Sequence, residues 1–303
     1  MRWWLILSIF GYATKAVPTI IDKALFHTKA VKHPGTYAVA VSAIGGLVLL
    51  LAPFFLTWPT WHIVIYALVS GAAFTLATLF FFSALQRADA SRVTPFIGAG
   101  VSLATAALAY LSLDERLAFH QVIAFCALVA GGILVTRGHG QGQGLKGKAI
   151  YYSLAAATCF AFSLVMSKAA FDRMPGAFLS AIIWMRAGSL VTGGILLLCQ
   201  RHLWAELRGT TTGAVPKKAK WAFFGGQALG AISGLLIYGA IALGTPTLVN
   251  ALQGLEYVFV LIFSLILLQI RPKLVGERFT RKTIPGLVCA VLLIGFGLVL
   301  LTR

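Results

Sequence analysis

Apolar residues run along this chain in long blocks separated by short polar stretches. Ten such runs can be marked, at about 3–21, 36–57, 62–86, 93–113, 117–136, 149–168, 176–199, 221–244, 246–269 and 283–301. Each is close to the ~20 residues that carry an α-helix across ~30 Å of hydrocarbon. The runs 93–113, 117–136, 149–167 and 283–302 hold no charged residue at all. A membrane β-barrel would instead alternate apolar and polar positions, and no such alternation occurs. The links are short: Trp58-Pro59-Thr60-Trp61 and Gly244-Thr245-Pro246 are turn signals between helices, and the tryptophans suit a membrane–water interface. The pattern predicts an all-α membrane protein with ten transmembrane helices.

Composition points the same way. Of 303 residues, 59% are apolar and only 11% charged. A soluble domain carries about 25% charged residues, and this chain could not cover a water-exposed surface. It is also too apolar to be disordered. The net charge of +17 fits basic cytoplasmic loops better than nucleic-acid binding. Cys126, Cys199, Cys159 and Cys289 all lie within apolar runs. They read as small buried hydrophobes and fit neither a disulfide framework nor a metal site. The first run carries Lys15 and no small-residue cleavage site follows it, so it reads as a genuine first helix and not as a cleaved signal.

The chain divides in the middle. Residues 137–148 contain five glycines and no apolar run, which predicts a flexible linker, 138–148, between halves 1–137 and 149–303. The halves share features in the same order. Ile21-Asp22-Lys23-Ala24-Leu25-Phe26 parallels Met166-Ser167-Lys168-Ala169-Ala170-Phe171. Gly131-Gly132 through Thr136-Arg137 parallels Gly297 through Thr302-Arg303. Asp114-Glu115-Arg116-Leu117 parallels Gly276-Glu277-Arg278-Phe279. Five spans is an odd number, so a duplicated second half enters the membrane upside down, an arrangement used by secondary transporters.

Loop charge gives the orientation. One side carries Arg2, Arg116, Arg173 and Arg303; the other carries eighteen basic residues, from Lys23, Lys29 and Lys32 through Arg281 and Lys282. The positive-inside rule places the eighteen in the cytoplasm and both termini outside. Gly226, Gly230 and Gly234 recur every fourth residue in the eighth run. Such a ribbon lets a helix approach closely, within the monomer or across a homodimer seam.

Three basic residues, Lys15, Lys168 and Arg186, and one acid, Glu256, fall inside apolar runs. A charge at membrane depth is costly, so it faces a cavity, a partner or a substrate unless it reaches an interface. Lys168 lies near a helix end and can snorkel. Lys15 either snorkels or lines a cavity; Tyr12 and Thr19 share its face at i−3 and i+4, and Pro18 would kink the helix beside them. Arg186 and Glu256 are central. Asn250, Gln253 and Glu256 follow at spacing three and predict one polar stripe. Arg186 and Glu256 either form an ion pair locking the halves together or hold a zwitterionic or anionic solute. Trp184 and Tyr238 are further candidates for lining a pocket, and Glu256, as the central acid, is the candidate proton carrier. His62 and His120 sit at helix ends. No clustered acids suggest a metal-dependent membrane enzyme, and neither a cofactor nor enzymatic activity is expected.

These residues resemble a family, the EamA-like transporters of the drug/metabolite transporter superfamily. The stretch Ala84-Leu85-Gln86-Arg87-Ala88-Asp89-Ala90-Ser91-Arg92-Val93-Thr94-Pro95 is similar to the family's segment joining helices 3 and 4. Leu113 to Leu117, with Gln121 and Gly131-Gly132, is similar to its acidic turn and fifth helix, and Gly276 to Phe279 with Pro285-Gly286 to the second copy. Leu255-Glu256-Tyr257-Val258-Phe259 resembles its Leu-Glu-Pro-Val-Phe, with Tyr257 in place of proline, and Trp184-Met185-Arg186-Ala187 resembles its arginine segment. The resemblance implies a central cavity lined by helices 1–4 and 6–9, with helices 5 and 10 as supports. It implies a multi-pass protein of a prokaryotic plasma (inner) membrane that exports or exchanges a small polar metabolite such as an amino acid. Departures near Ile270–Val275 and at Tyr257 bear on the gate region. A flippase for a lipid-linked or amphiphilic precursor is the alternative on the same fold.

Overall fold

A computed structural model describes residues 3–26, 33–88, 90–137, 146–200, 203–204, 217–270 and 284–302. Most of the glycine-rich linker, the segment 271–275 and the motif Gly276 to Phe279 lie outside the described residues. All regular structure among the described residues is helical. The helices are α1 (Trp3–Phe26), α2 (Pro34–Gly45, continued by a 3₁₀ stretch Gly46–Leu51 and a turn Ala52–Phe55), α3 (Trp61–Leu85), α4 (Ala90–Leu113) and α5 (Phe119–Arg137). There follow α6 (Lys148–Arg173), α7 (Phe178–Cys199), α8 (Lys217–Leu243), α9 in two pieces (Pro246–Ala251 and Gly254–Ile270) and α10 (Ile284–Thr302).

Among the described residues, eight helices are long and apolar enough to cross a membrane. Helices α5 and α10 carry shorter apolar stretches, Phe119–Leu134 and Val288–Leu301. Large apolar side chains point outward on many of the helices: Phe54 is 80% exposed, Phe119 81% and Leu198 75%. Water would not tolerate so continuous an apolar surface, whereas lipid does. The chain is therefore an all-helical, multi-pass membrane protein. Cys126, Cys199 and Cys289 belong to this outward surface and Cys159 is half-buried, so the expectation that all four are buried is corrected. Their apolar neighbours marked lipid, not core, because in a bilayer both environments are apolar.

Local chemistry explains the irregular elements. Pro34 and Pro246 open their helices at positions where the missing N–H is of no consequence. Pro53 cannot donate to the turn before it, and α2 tightens to a 3₁₀ helix just ahead of it, with Ala52 N–H bonding Leu49 O. Pro18 lies within α1, which nonetheless runs unbroken from Trp3 to Phe26.

Helix α1 packs along α8, α3 against α6 and α7, α4 against α6, α2 against α7, and α5 along α10. Small residues set these crossings. A Cβ on Gly71 would meet the Met185 carbonyl, and one on Gly188 the Leu68 carbonyl, so α3 and α7 touch backbone to backbone. Ser70 and Ser163 donate to each other's carbonyl at 2.8 Å, joining α3 to α6. A buried knot of Ser42, Thr75 and Ser189 joins α2, α3 and α7, with Thr75–Ser189 at 2.7 Å. The predicted glycine ribbon on α8 is not the tightest seam: Gly226 meets Ile21 of α1, Gly234 meets Arg186, and Gly230 meets nothing.

Candidate functional site

The site begins at a break in α9. The first piece ends at Ala251, and Gly254 starts the second against Gly132 of α5, so close that a Cβ on either would crowd the other's Cα at 3.2 Å. The Gln253 amide bonds three residues back, to Asn250 O at 2.9 Å. The Val249 carbonyl instead accepts a hydrogen bond from the buried Tyr12 hydroxyl of α1, at 3.0 Å. A backbone group freed at membrane depth is thus satisfied by a side chain, as a lipid environment demands.

Glu256 stands in the first turn of the second piece, where the helix N-terminus favours negative charge. It is buried, 4% exposed at the side chain. Lys15 Nζ lies 3.0 Å from its Oε2, and the Thr19 hydroxyl donates to Oε1 at 2.7 Å. Thr19 Oγ1 also lies 3.0 Å from the Lys15 carbonyl; its one hydrogen serves the shorter contact, to the carboxylate. Lys15 Nζ sits 5.8 Å from the Tyr12 ring centre. Tyr12, Lys15 and Thr19 are one face of α1, as their spacing requires, and this face meets Glu256. The Lys15 side chain keeps 38% of its surface exposed, so the pair is reachable from one side.

Of the two readings open for Arg186 and Glu256, the ion pair is not formed among the described residues: Glu256 takes Lys15 instead. Arg186 is half-buried on α7, its guanidinium 5.4 Å from the Phe74 ring centre and beside Gly45 and Gly234.

The polar stripe on α9 holds only in part: Asn250 and Gln253 both face α4, whereas Glu256 turns to α1. Asn250 is buried in the first piece and donates to Ser102 of α4 at 3.0 Å. Gln253 lies in the break, beside Gly98 and Tyr257, in a crevice of about 20 Å³, room for about one water. Tyr257 donates to the Thr94 carbonyl at 3.3 Å. Trp184 and Tyr238 do not join the site. The Trp184 indole donates to Thr57 O at 3.2 Å and packs edge-on against Trp58, while Tyr238 is buried against Phe171. Lys168 is held by Asp172 at 2.8 Å and by Ala242 O at 3.3 Å, which replaces snorkelling. Ser102, Thr94 and the Val249 carbonyl are the polar partners that the sequence did not single out for the site. Gly254, the earliest sign of the break, was the signal for the last.

A second acid completes the picture at the end of α4. Asp114 adopts φ 50°, and Glu115 N–H bonds back to Ala109 O at 3.2 Å, a left-handed helix cap that Asp tolerates. The cap turns the Glu115 carboxyl inward, where neither oxygen has a well-formed hydrogen bond. Burial raises its pKa, opposed by the nearby Thr245 and Thr247 groups that open α9 and by Lys168.

No family model matches the chain, and no curated protein matches it. Among solved structures, one crystal structure covers 99% of this chain and 96% of that one, with a TM-score of 0.67 and 19% identity. The two share a fold over nearly their whole lengths.

Proposed function

We propose that the protein is a secondary transporter of a small polar organic solute, zwitterionic or anionic, related to the EamA-like members of the drug/metabolite transporter superfamily. On this reading ten helices form two inverted five-helix repeats, 1–137 and 149–303, with the basic loops cytoplasmic and both termini outside. The helix pairing supports the duplication. Exchange of the halves turns α1–α8 into α6–α3, turns α1–α9 into α6–α4, and returns α5–α10 and α2–α7 to themselves, and all of these pairs pack together.

The observation that carries the transport reading is the Lys15–Glu256 pair at the break in α9. A broken span with a buried, charge-paired carboxylate is costly to a purely structural bundle and is the usual place for a solute or ion in such folds. Glu256 links α1 to α9, so gaining a proton or losing Lys15 would loosen one half from the other. That makes it the proton carrier of an exporter or exchanger working by alternating access. The test is uptake and exchange in proteoliposomes under an imposed pH gradient, with solutes first chosen by thermal-shift screening. Glu256→Gln should abolish gradient-driven accumulation while leaving solute exchange. Full accumulation in that variant would overturn the coupling role.

A further inference from the structure

We propose that Arg186 is an oxyanion-binding group, separate from the Lys15–Glu256 pair, and that the solute presents it with one carboxylate or phosphate. The proposal rests on the transport reading only for the word solute; the anion site stands on geometry. Three charged side chains lie in the middle of the spans, and Glu256 neutralises Lys15. Arg186 is left over. Among the described residues no carboxylate pairs with it and no acceptor takes its N–H groups; its neighbour is the Phe74 ring. A guanidinium carries five donors in a planar fork and cannot shed its charge. Left half-buried without an acceptor, such a group is costly, and the missing partner is an anion.

No side-chain acceptor is supplied from two of the helices beside the guanidinium. It rests on glycine backbone: a Cβ on Gly45 of α2 would come within 3.2 Å of Nη1, and one on Gly234 of α8 within 3.9 Å of Nη2. One turn before Gly234, Gly230 faces open space. Phe74 stands over the guanidinium at 5.4 Å, and a guanidinium binds an oxyanion through its in-plane fork edge. The depth also agrees with the Lys15 site. Helices α1 and α8 run antiparallel, with Gly11 against Ile237 and Ile21 against Gly226. Gly234 therefore stands level with the residues just before Lys15, within a few ångströms along the membrane normal at ~1.5 Å per residue. A net positive centre at one depth, made of a free cation and a neutral pair, fits a solute of net charge −1, or a zwitterion whose ammonium group lies toward Glu256.

The test uses the full-length protein purified in detergent. Phenylglyoxal, which reacts with accessible guanidinium groups, is followed at Arg186 by peptide mass spectrometry. Benzoate, inorganic phosphate or neutral benzamide is present at matched ionic strength. Arg116, whose side chain is 76% exposed, is the internal control. Benzoate or phosphate at about ten times its dissociation constant should slow modification of Arg186 about tenfold, with Arg116 unaffected and benzamide without effect. Which of the two anions protects distinguishes a carboxylate from a phosphate solute. Equal rates with and without both anions, or equal protection by benzamide, would overturn the proposal. As a second measurement, ligand-free Arg186→Met should unfold no lower than the parent protein, since an unpartnered cation has been removed; a marked fall would make Arg186 a structural lock. Protection in a protein that moves no solute would leave the anion site standing and remove the transport reading, and transport without protection would do the reverse.

Discussion

Lys15 and Glu256 are partners of unequal burial, and that asymmetry makes their roles separable. Removing Lys15 strands a carboxylate whose side chain is 4% exposed, whereas removing Glu256 strands an ammonium group that is 38% exposed. A fully buried pair broken from one side costs about 3–5 kcal/mol. Partial hydration of Lys15 lowers that figure, so Lys15→Gln should destabilise by roughly 2–3 kcal/mol and Glu256→Gln by distinctly less. Lys15→Gln combined with Glu256→Gln should recover much of the loss, because no charge is then left alone. Reversible unfolding in detergent, read as a double-mutant cycle, measures all three. Equal losses for the two single variants, adding in the double, would mean that the pair contributes no coupling.

At the scale of the helix, close approach is set by particular glycines and not by the most regular glycine pattern. Gly188 lies against the Leu68 backbone, whereas nothing comes within 4 Å of a Cβ on Gly230. Gly188→Ala must push α7 away from α3, and backbone cannot yield as a side chain can. We expect it to unfold or to lose several degrees of melting temperature, while Gly230→Ala should fold normally, even gaining slightly from better helix propensity. Fluorescence-detected size-exclusion and thermal unfolding of both variants would decide it, and a harmless Gly188→Ala would contradict the crossing.

The loop between α4 and α5 acts on the same scale. Burial raises the Glu115 pKa, so the folded protein binds this proton more tightly than the unfolded chain. Stability from this group is therefore fully present below the ordinary carboxylate range. It is lost as pH rises through the raised value. Melting temperature should fall over that window, and Glu115→Gln, which keeps the protonated shape, should flatten the fall. A parent and variant with parallel pH profiles would show that Glu115 does not carry it.

At the scale of the whole molecule, the proposed orientation makes a prediction about sidedness. In a background without the four native cysteines, single cysteines near Met1, Gly209 or Thr302 would be treated in intact cells with a membrane-impermeant thiol reagent. Labelling near Met1 and Thr302, and none at Gly209 until the cells are opened, is expected. The reverse pattern would sink the charge argument and with it the cytoplasmic placement of the basic loops.

The chain's own pattern determined the parts of this protein that depend on short-range chemistry. Runs of apolar residues near the length of a bilayer crossing must be helices in lipid, whatever they pack against, because only a helix satisfies its backbone internally. Residues at spacing three and four on an unbroken helix must share a face, and Tyr12, Lys15 and Thr19 do. The rarity of charge within the spans also marks Lys15, Arg186 and Glu256. Only the tertiary structure decided which charges meet. The sequence offered Arg186 as the partner of Glu256 and Lys15 only as a snorkelling or cavity-lining cation; the choice depends on how α1, α7 and α9 are placed around one another. The stripe Asn250, Gln253 and Glu256 held only in part for a related reason: it assumed an unbroken helix, and α9 is broken where Gly254 meets Gly132, more than a hundred residues away, so that Glu256 turns to α1 while Asn250 and Gln253 face α4. Inside a bilayer both lipid and core are apolar, so hydrophobicity could not tell the outward cysteines from the inward Tyr238. Packing alone separates them.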